Sequence, residues 1–166
     1  MKLYIMKPDH VDGTPGVVLF IHGGVWIVGN FENHKRLLRD IVVESGQPAV
    51  FLQYTTLPEA KYPVQMNQAY AALEWTATHA GELGADPNRI AVWAFSGGGP
   101  FLSLALTGAL PPARALVAYY AALDLQEKPP GASPALTDEI RRDFSPIHHM
   151  KALAGKVTDN VAVSLS

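Results

Sequence analysis

A serine followed by three glycines, at residues 96–99, is the part of the sequence best suited to chemistry. The apolar run "RIAVWAF" precedes Ser96 and a helical pattern follows it, so the hydroxyl lies where a strand meets a helix. A sharp turn there needs small residues two positions before and after the serine, and Ala94 and Gly98 meet that need. Such a turn exposes the hydroxyl as a nucleophile, at the positive end of the next helix. The same glycines also fit two other interpretations, a simple packing turn and an anion cradle of backbone N–H groups.

The stretch "FIHGGVWIVGNF" is a second candidate segment, because it also follows the pattern of a buried strand. Backbone N–H groups fixed near Ser96 would stabilise the oxyanion that forms when a serine attacks an ester carbonyl. Gly23 and Gly24 allow this loop to approach, and the residue after the nucleophile, Gly97, provides a further donor. His22 precedes these glycines, and we expect it to anchor the loop by hydrogen bonds rather than to act as a base.

Strand and helix patterns alternate along the chain and would position these segments. Apolar runs predict strands near residue 4 and at 17–24, 48–54, 89–95 and 114–123. Apolar residues at helical spacing predict helices over 33–45, 64–81 and 97–109. Continuously apolar strands separated by helices are typical of a parallel sheet covered on both faces. The sequence therefore predicts a three-layer α/β/α fold with a mostly parallel sheet, in which ligands bind at the carboxyl ends of the strands.

The composition fits one globular domain over residues 1–166. Hydrophobic residues make up 48% of the chain and charged residues 17%, which excludes disorder. The net charge of −2 gives no reason to expect nucleic acid as a partner. The absence of cysteine excludes disulfides and thiolate zinc sites, and no cluster of residues has ligand spacing, so we expect neither a metal nor a cofactor. No signal peptide and no apolar run of ~18–20 residues is present, so we expect a cytoplasmic protein without a membrane partner.

Three motifs occur in a definite order along the chain: "HGGVW", "YTTLPEAKYPVQMNQAYAALEW" and "DPNRIAVWAFSGGGP". Together they resemble the hormone-sensitive-lipase-like carboxylesterases of the α/β-hydrolase superfamily, over roughly residues 3–155. The segment "FSGGGP" is also similar to that of dienelactone-hydrolase-like members of the same superfamily. The resemblance implies an α/β-hydrolase fold, a small carboxylic ester as substrate and no cofactor. It also implies that Ser96 is the nucleophile and that Gly23, Gly24 and Gly97 belong to the oxyanion hole.

The sequence departs from the family pattern in its oxyanion motif and in its triad. Val25 stands where the family has the last glycine of HGGG, and a β-branched residue tolerates positive φ poorly. The family orders its triad as serine, acid and histidine, and this sequence does not identify the last two. The candidates are Asp124, His148 and His149, for which a structural aspartate and surface or helix-capping histidines are the alternatives. Residues 125–155 are predicted to form a lid-like or connecting segment.

The resemblance covers the central part of the family fold, so we expect a chain truncated at both ends. The strands near residue 4 and at 114–123 would then be outermost, with unpaired edges through which copies of the chain could associate. The β-prone tail "NVAVSLS" could add a substitute strand at one edge. A second function hypothesis follows, a catalytically impaired or non-catalytic remnant that binds small acyl compounds or a partner.

Overall fold

A computed structural model describes residues 1–106, 113–125, 137–153 and 162–165. The strands are β1 (Lys2–Met6), β2 (Val17–Ile21), β3 (Ala49–Gln53), β4 (Ile90–Phe95), β5 (Ala115–Tyr119) and β6 (Ala162–Leu165). They form one sheet in the order β1-β3-β2-β4-β5-β6. β1 pairs antiparallel with β3, and all other neighbouring strands are parallel. The predicted, mostly parallel sheet is therefore confirmed.

The prediction that the strand at 114–123 is outermost is wrong. β6 pairs in parallel with β5, with Ala162 opposite Ala115 and Leu165 opposite Ala118, so β5 has a neighbour on each side. The strand also ends earlier than predicted, because Tyr120 adopts a positive φ of 39° that turns the chain out of the sheet. On the other side of the sheet β1 is the edge strand.

Helices lie on both faces of the sheet. They are α1 (Phe31–Ser45), α2 (Val64–His79), α3 (Leu102–Leu106), α4 (Asp138–Asp143) and α5 (Pro146–Leu153), with 3₁₀ helices at Ala80–Leu83 and Ser96–Phe101. α1 begins before residue 33 because the Asn30 side chain accepts a hydrogen bond from the N–H of Asn33 and caps the helix. No helix among the described residues is both long and apolar enough to cross a membrane.

Two predicted segments are only partly described. The helix predicted over 97–109 starts as a 3₁₀ helix, because three glycines and Pro100 disfavour an α-helix at its beginning. Its predicted end, residues 107–109, lies outside the described residues. The predicted connecting segment 125–155 contains α4 and α5, while residues 126–136 and 154–155 lie outside the described residues.

Each face of the sheet covers its own core. The face under α2 and α3 buries a large aliphatic cluster that includes Leu19, Ile21, Val92, Phe101 and Leu116. The face under α1 buries a smaller aromatic cluster, in which Phe20 stacks between Phe51 and Phe95 at centroid distances of 5.4 and 4.7 Å. Every residue of β2 is at most 2% exposed. The loops that follow β2 and β4 therefore start from the most firmly packed part of the molecule.

Candidate active site

Ser96 lies at the end of β4 in a tight turn, called here the serine turn (residues 95–98). Its φ of 48° is a left-handed conformation that is uncommon outside glycine. The chain passes directly into the 3₁₀ helix, and space there is short: a β-carbon at Gly98 would lie 2.7 Å from the carbonyl oxygen of Ile21. The Ser96 side chain is partly exposed, and no hydrogen bond within the described residues occupies its hydroxyl. The turn therefore presents a free hydroxyl at the carboxyl edge of the sheet.

The loop after β2 forms a second tight turn, called here the glycine turn (residues 24–27). The Gly24 carbonyl accepts hydrogen bonds from the N–H groups of Ile27 and Val28, both at 3.0 Å. The central residues Val25 and Trp26 have positive φ angles of 52° and 60°, as in a type I′ turn. A left-handed non-glycine residue costs about 1–2 kcal/mol. The glycine turn is therefore strained at both of its central positions.

The glycine turn and the serine turn are in direct contact. A β-carbon at Gly23 would lie 2.8 Å from Cβ of Ser96, and one at Gly97 would lie 3.0 Å from the nitrogen of Val25. Within the described part of the chain, the N–H groups of Gly24 and Val25 donate no hydrogen bond. Unused N–H groups beside a serine hydroxyl are the arrangement that stabilises an oxyanion. The structure thus brings together the four residues predicted as nucleophile and oxyanion hole.

His22 packs beneath the glycine turn and fits the predicted anchoring role. The ring is fully buried, stacks on Tyr54 at a centroid distance of 4.2 Å, and places Nδ1 2.5 Å from the carbonyl oxygen of Gly23. The Tyr54 hydroxyl donates a hydrogen bond of 3.2 Å to the His22 carbonyl. Burial lowers the pKa of His22 to about 4, opposed by the hydrogen bond to Gly23 and assisted by the nearby His34. A ring with this pKa is neutral at neutral pH and a weak base.

The loop between β3 and α2 holds the glycine turn from one side. The N–H of Leu57 donates a hydrogen bond of 2.8 Å to the carbonyl oxygen of Trp26. α2 fixes this loop in turn, because Nε2 of Gln65 donates a hydrogen bond of 2.8 Å to the Ala60 carbonyl. The conformation of the glycine turn is therefore linked, through this loop, to α2.

The structure does not join any of the three triad candidates to Ser96. Asp124 is exposed in the segment after β5, where it has a partner of its own. His148 and His149 lie on α5, and Nε2 of His149 is 3.0 Å from the carbonyl oxygen of Asp143. Among the described residues none of the three forms a hydrogen bond with the Ser96 hydroxyl. Their triad roles stay predictions.

Sequence reasoning missed one contact at the site, between Trp26 and Phe144. Their rings meet edge to face, with centroids 6.4 Å apart and planes at 87°. Trp26 could have been identified from the sequence as a residue of the site, because it is an aromatic residue directly after the oxyanion segment. Nothing in the sequence marks Phe144, because only the tertiary fold brings residue 144 to residue 26. Among the described residues, no group of three or more histidine, aspartate or glutamate side chains is placed to hold a metal ion.

The sequence of this chain is similar to those of known proteins. A family model described as an alpha/beta hydrolase fold matches residues 18–162. Carboxylesterase NlhH of Mycobacterium tuberculosis is 40% identical over 88 residues, which are 53% of this chain and 27% of NlhH. Esterase LipI of the same species is 37% identical over 92 residues, which are 55% of this chain and 28% of LipI.

A solved structure of an esterase, a variant of rPPE, is similar in fold as well as in sequence. It superposes with a TM-score of 0.75 at 33% identity, covering 88% of this chain and 54% of that chain. The chain thus spans about half the length of this solved relative. The parts matched in the two mycobacterial esterases are 27% and 28% of those proteins.

Proposed function

The chain belongs to the alpha/beta hydrolase fold family, and we propose that it carries the nucleophile and the oxyanion hole of a serine carboxylesterase that acts on small esters. One observation carries the proposal: the free hydroxyl of the left-handed Ser96 lies against a strained turn in which the N–H groups of Gly24 and Val25 donate no hydrogen bond within the described residues. Backbone strain of this kind clusters at functional sites, where the surrounding structure enforces it. The names of the relatives NlhH and LipI agree with this activity.

The proposed reaction starts with attack of the Ser96 Oγ on the carbonyl carbon of the ester. The carbonyl oxygen takes up negative charge and accepts hydrogen bonds from the N–H groups of Gly24 and Gly97, while Gly23 leaves room for its approach. When the carbonyl forms again, the C–O bond to the alcohol breaks and the alcohol leaves with a proton. Water then attacks the acyl-serine in the same hole, which releases the carboxylic acid and restores the serine.

Transfer of the serine proton limits the rate that we expect. Within the described residues no base accepts a hydrogen bond from Ser96, and His22 is buried with a pKa of about 4. Serine hydrolases without their base retain roughly 10³–10⁴-fold acceleration over water from the oxyanion hole and substrate binding. We expect activity at that level, on esters with a good leaving group, far below the ~10 s⁻¹ typical of enzymes.

A second candidate function is binding of small acyl compounds without turnover. The same free hydroxyl favours it, because a serine without a hydrogen-bonded base is a weak nucleophile. The two functions differ in one consequence: only the esterase proposal requires the Ser96 hydroxyl for product formation.

Hydrolysis of p-nitrophenyl acetate and butyrate tests the proposal, with release of nitrophenol as the readout. We expect saturable turnover that disappears in Ser96→Ala. Ser103→Ala is the matched control, because Ser103 is a buried serine on α3 whose hydroxyl has no partner among the described residues. Its turnover should equal that of the unchanged chain. Equal rates for Ser96→Ala and the unchanged chain would contradict the esterase proposal, and saturable binding without turnover would favour the second candidate.

A further inference from the structure

The glycine turn needs an external restraint, because it is strained at two successive residues and one of them, Val25, is exposed. Val25 and Trp26 are both left-handed, and the Val25 side chain is 60% exposed. A strained backbone persists only where the surrounding structure leaves it no easier alternative. An exposed valine offers little packing for that purpose. Trp26, which is partly buried, makes side-chain contacts that can supply such a restraint.

Two contacts hold Trp26 from opposite ends of the residue. Its carbonyl oxygen accepts the 2.8 Å hydrogen bond from the N–H of Leu57. Its indole packs against the main core and meets the ring of Phe144 edge to face at 6.4 Å. The indole Nε1 is buried and has no hydrogen-bond partner among the described residues. The position of the ring is therefore set by packing against its neighbours, of which Phe144 is the aromatic one.

Phe144 is itself firmly placed between α4 and α5. It is 6% exposed, and its ring contacts Tyr62 and Phe101 at centroid distances of 4.9 and 6.3 Å. The neighbouring Ser145 Oγ accepts a hydrogen bond of 2.8 Å from the N–H of Leu125, which ties this junction to the segment after β5. A side chain fixed on several sides can restrain a neighbour that it contacts.

We propose that Phe144 is a positioning residue that holds the glycine turn in its strained conformation through Trp26. The catalytic consequence rests on the proposed esterase function, whereas the mechanical role of Phe144 does not. Loss of the ring contact frees the indole, and the turn relaxes toward unstrained φ angles. The N–H of Gly24 then shifts relative to that of Gly97, so stabilisation of an oxyanion is lost while substrate binding is kept.

Amide hydrogen exchange in the folded chain tests the mechanical role. The N–H groups of Leu57 and Val28 report on the turn, because they bond to the carbonyls of Trp26 and Gly24. Phe144→Leu should speed their exchange about fivefold, the size expected for loss of the pair that Phe144 forms with Trp26. Phe31→Leu is the matched control, because its ring stacks on Tyr4 at 4.3 Å and the change removes an aromatic contact elsewhere.

Faster exchange of both reporters in Phe144→Leu alone supports the proposal. Unchanged exchange in Phe144→Leu, or equal acceleration in Phe31→Leu, overturns it. If Phe144→Leu does not fold, Phe144→Met takes its place, since methionine fills a similar volume without a ring.

Ester hydrolysis supplies a readout that a merely structural role would not move. Phe144→Leu should lower kcat about fivefold with KM unchanged, because only the geometry of the oxyanion donors is affected. A raised KM with unchanged kcat overturns the proposal and makes Phe144 a wall of the substrate pocket. If the unchanged chain hydrolyses no ester, the proposed function fails by itself, and the exchange comparison still decides the role of Phe144.

Discussion

The serine turn and the glycine turn meet at the same edge of the sheet, and each contains at least one left-handed non-glycine residue, but they are supported differently. The serine turn is enclosed by backbone: Gly98 lies against the Ile21 carbonyl, and the Ser96 carbonyl accepts a 2.9 Å hydrogen bond from the N–H of Ala122. The glycine turn is open to solvent, with Val25 and Ile27 60% and 57% exposed.

Because of this difference, substitutions in the two turns should have different effects, one on the stability of the whole chain and the other on local geometry. Backbone enclosure couples the serine turn to the central strands, so a change there should affect the stability of the whole chain. The glycine turn depends on the contacts of Trp26 with Leu57 and Phe144, so a change there should alter local geometry first. Strain in exposed segments can relax by local opening, whereas strain in the core cannot.

The largest effect is expected from Gly98→Ala. The added β-carbon would lie 2.7 Å from the Ile21 carbonyl oxygen and 3.0 Å from that of His22, so β2 or β4 must move. We expect the free energy of unfolding to fall by about 3 kcal/mol, the upper range for overpacking. Chemical denaturation measures it, with Gly81→Ala as control because a β-carbon at Gly81 meets no atom within 4 Å. Equal stability of both variants would show that enclosure does not support the serine turn.

An effect of similar size is a pH dependence that originates at His22, beneath both turns. Its pKa is 6.5 when unperturbed and about 4 in the folded chain, so the unfolded chain takes up the proton first. The stability that the neutral ring contributes is complete above pH 6.5 and is lost as the pH falls toward 4. This loss amounts to about 3 kcal/mol.

His22→Asn removes the titrating ring and isolates this contribution. We expect the unchanged chain to be the more stable one at neutral pH, and the difference between the two chains to shrink on acidification. Denaturation midpoints across that pH range measure the difference. Parallel stability curves for the two chains would show that burial of His22 has no such effect.

A smaller effect, opposite in sign at two neighbouring valines, tests the strain in the glycine turn. Val25→Gly removes a side chain from a left-handed position, so the free energy of unfolding should rise by up to about 1 kcal/mol. Val28→Gly is the control, because Val28 is equally exposed at 63% but has no positive φ. Glycine there should lower stability by about 0.5–1 kcal/mol. Thermal melts of the two variants that shift in the same direction would argue against strain at Val25.

The smallest effect is expected at the histidines of α5. Neither His148 nor His149 is hydrogen-bonded to Ser96 among the described residues, and His149 contacts an exposed carbonyl. Replacing either by alanine should change stability by less than about 0.5 kcal/mol and leave the rate of ester hydrolysis unaltered. A clear drop in rate for one of the two variants would instead identify that histidine as the base for Ser96.

Much of the fold was predictable because the strands that form its centre are continuously apolar. The runs that became β2 and β4 end in glycine and serine segments, so their common edge and the proximity of Gly23 to Ser96 followed from sheet topology. Val25 could also be recognised as a poor fit to its position, because β-branching and positive φ conflict.

Other features depend on tertiary structure and could not be predicted. The early end of β5 rests on the φ of Tyr120, a residue with no intrinsic preference for the left-handed region. The tail was recognisable as a possible added strand, but its pairing with β5 rather than with the other edge of the sheet did not follow from the sequence. Phe144 reaches Trp26 only because α4 and α5 fold back onto the site.

Covalent labelling by a fluorophosphonate probe tests whether Ser96 is a nucleophile, because the probe forms an adduct with a reactive serine and does not require turnover. We expect one adduct, mapped by mass spectrometry to the peptide that contains Ser96, its absence in Ser96→Ala, and normal labelling of Ser103→Ala. Equal labelling of Ser96→Ala and the unchanged chain, or an adduct on another residue, would contradict this role of Ser96.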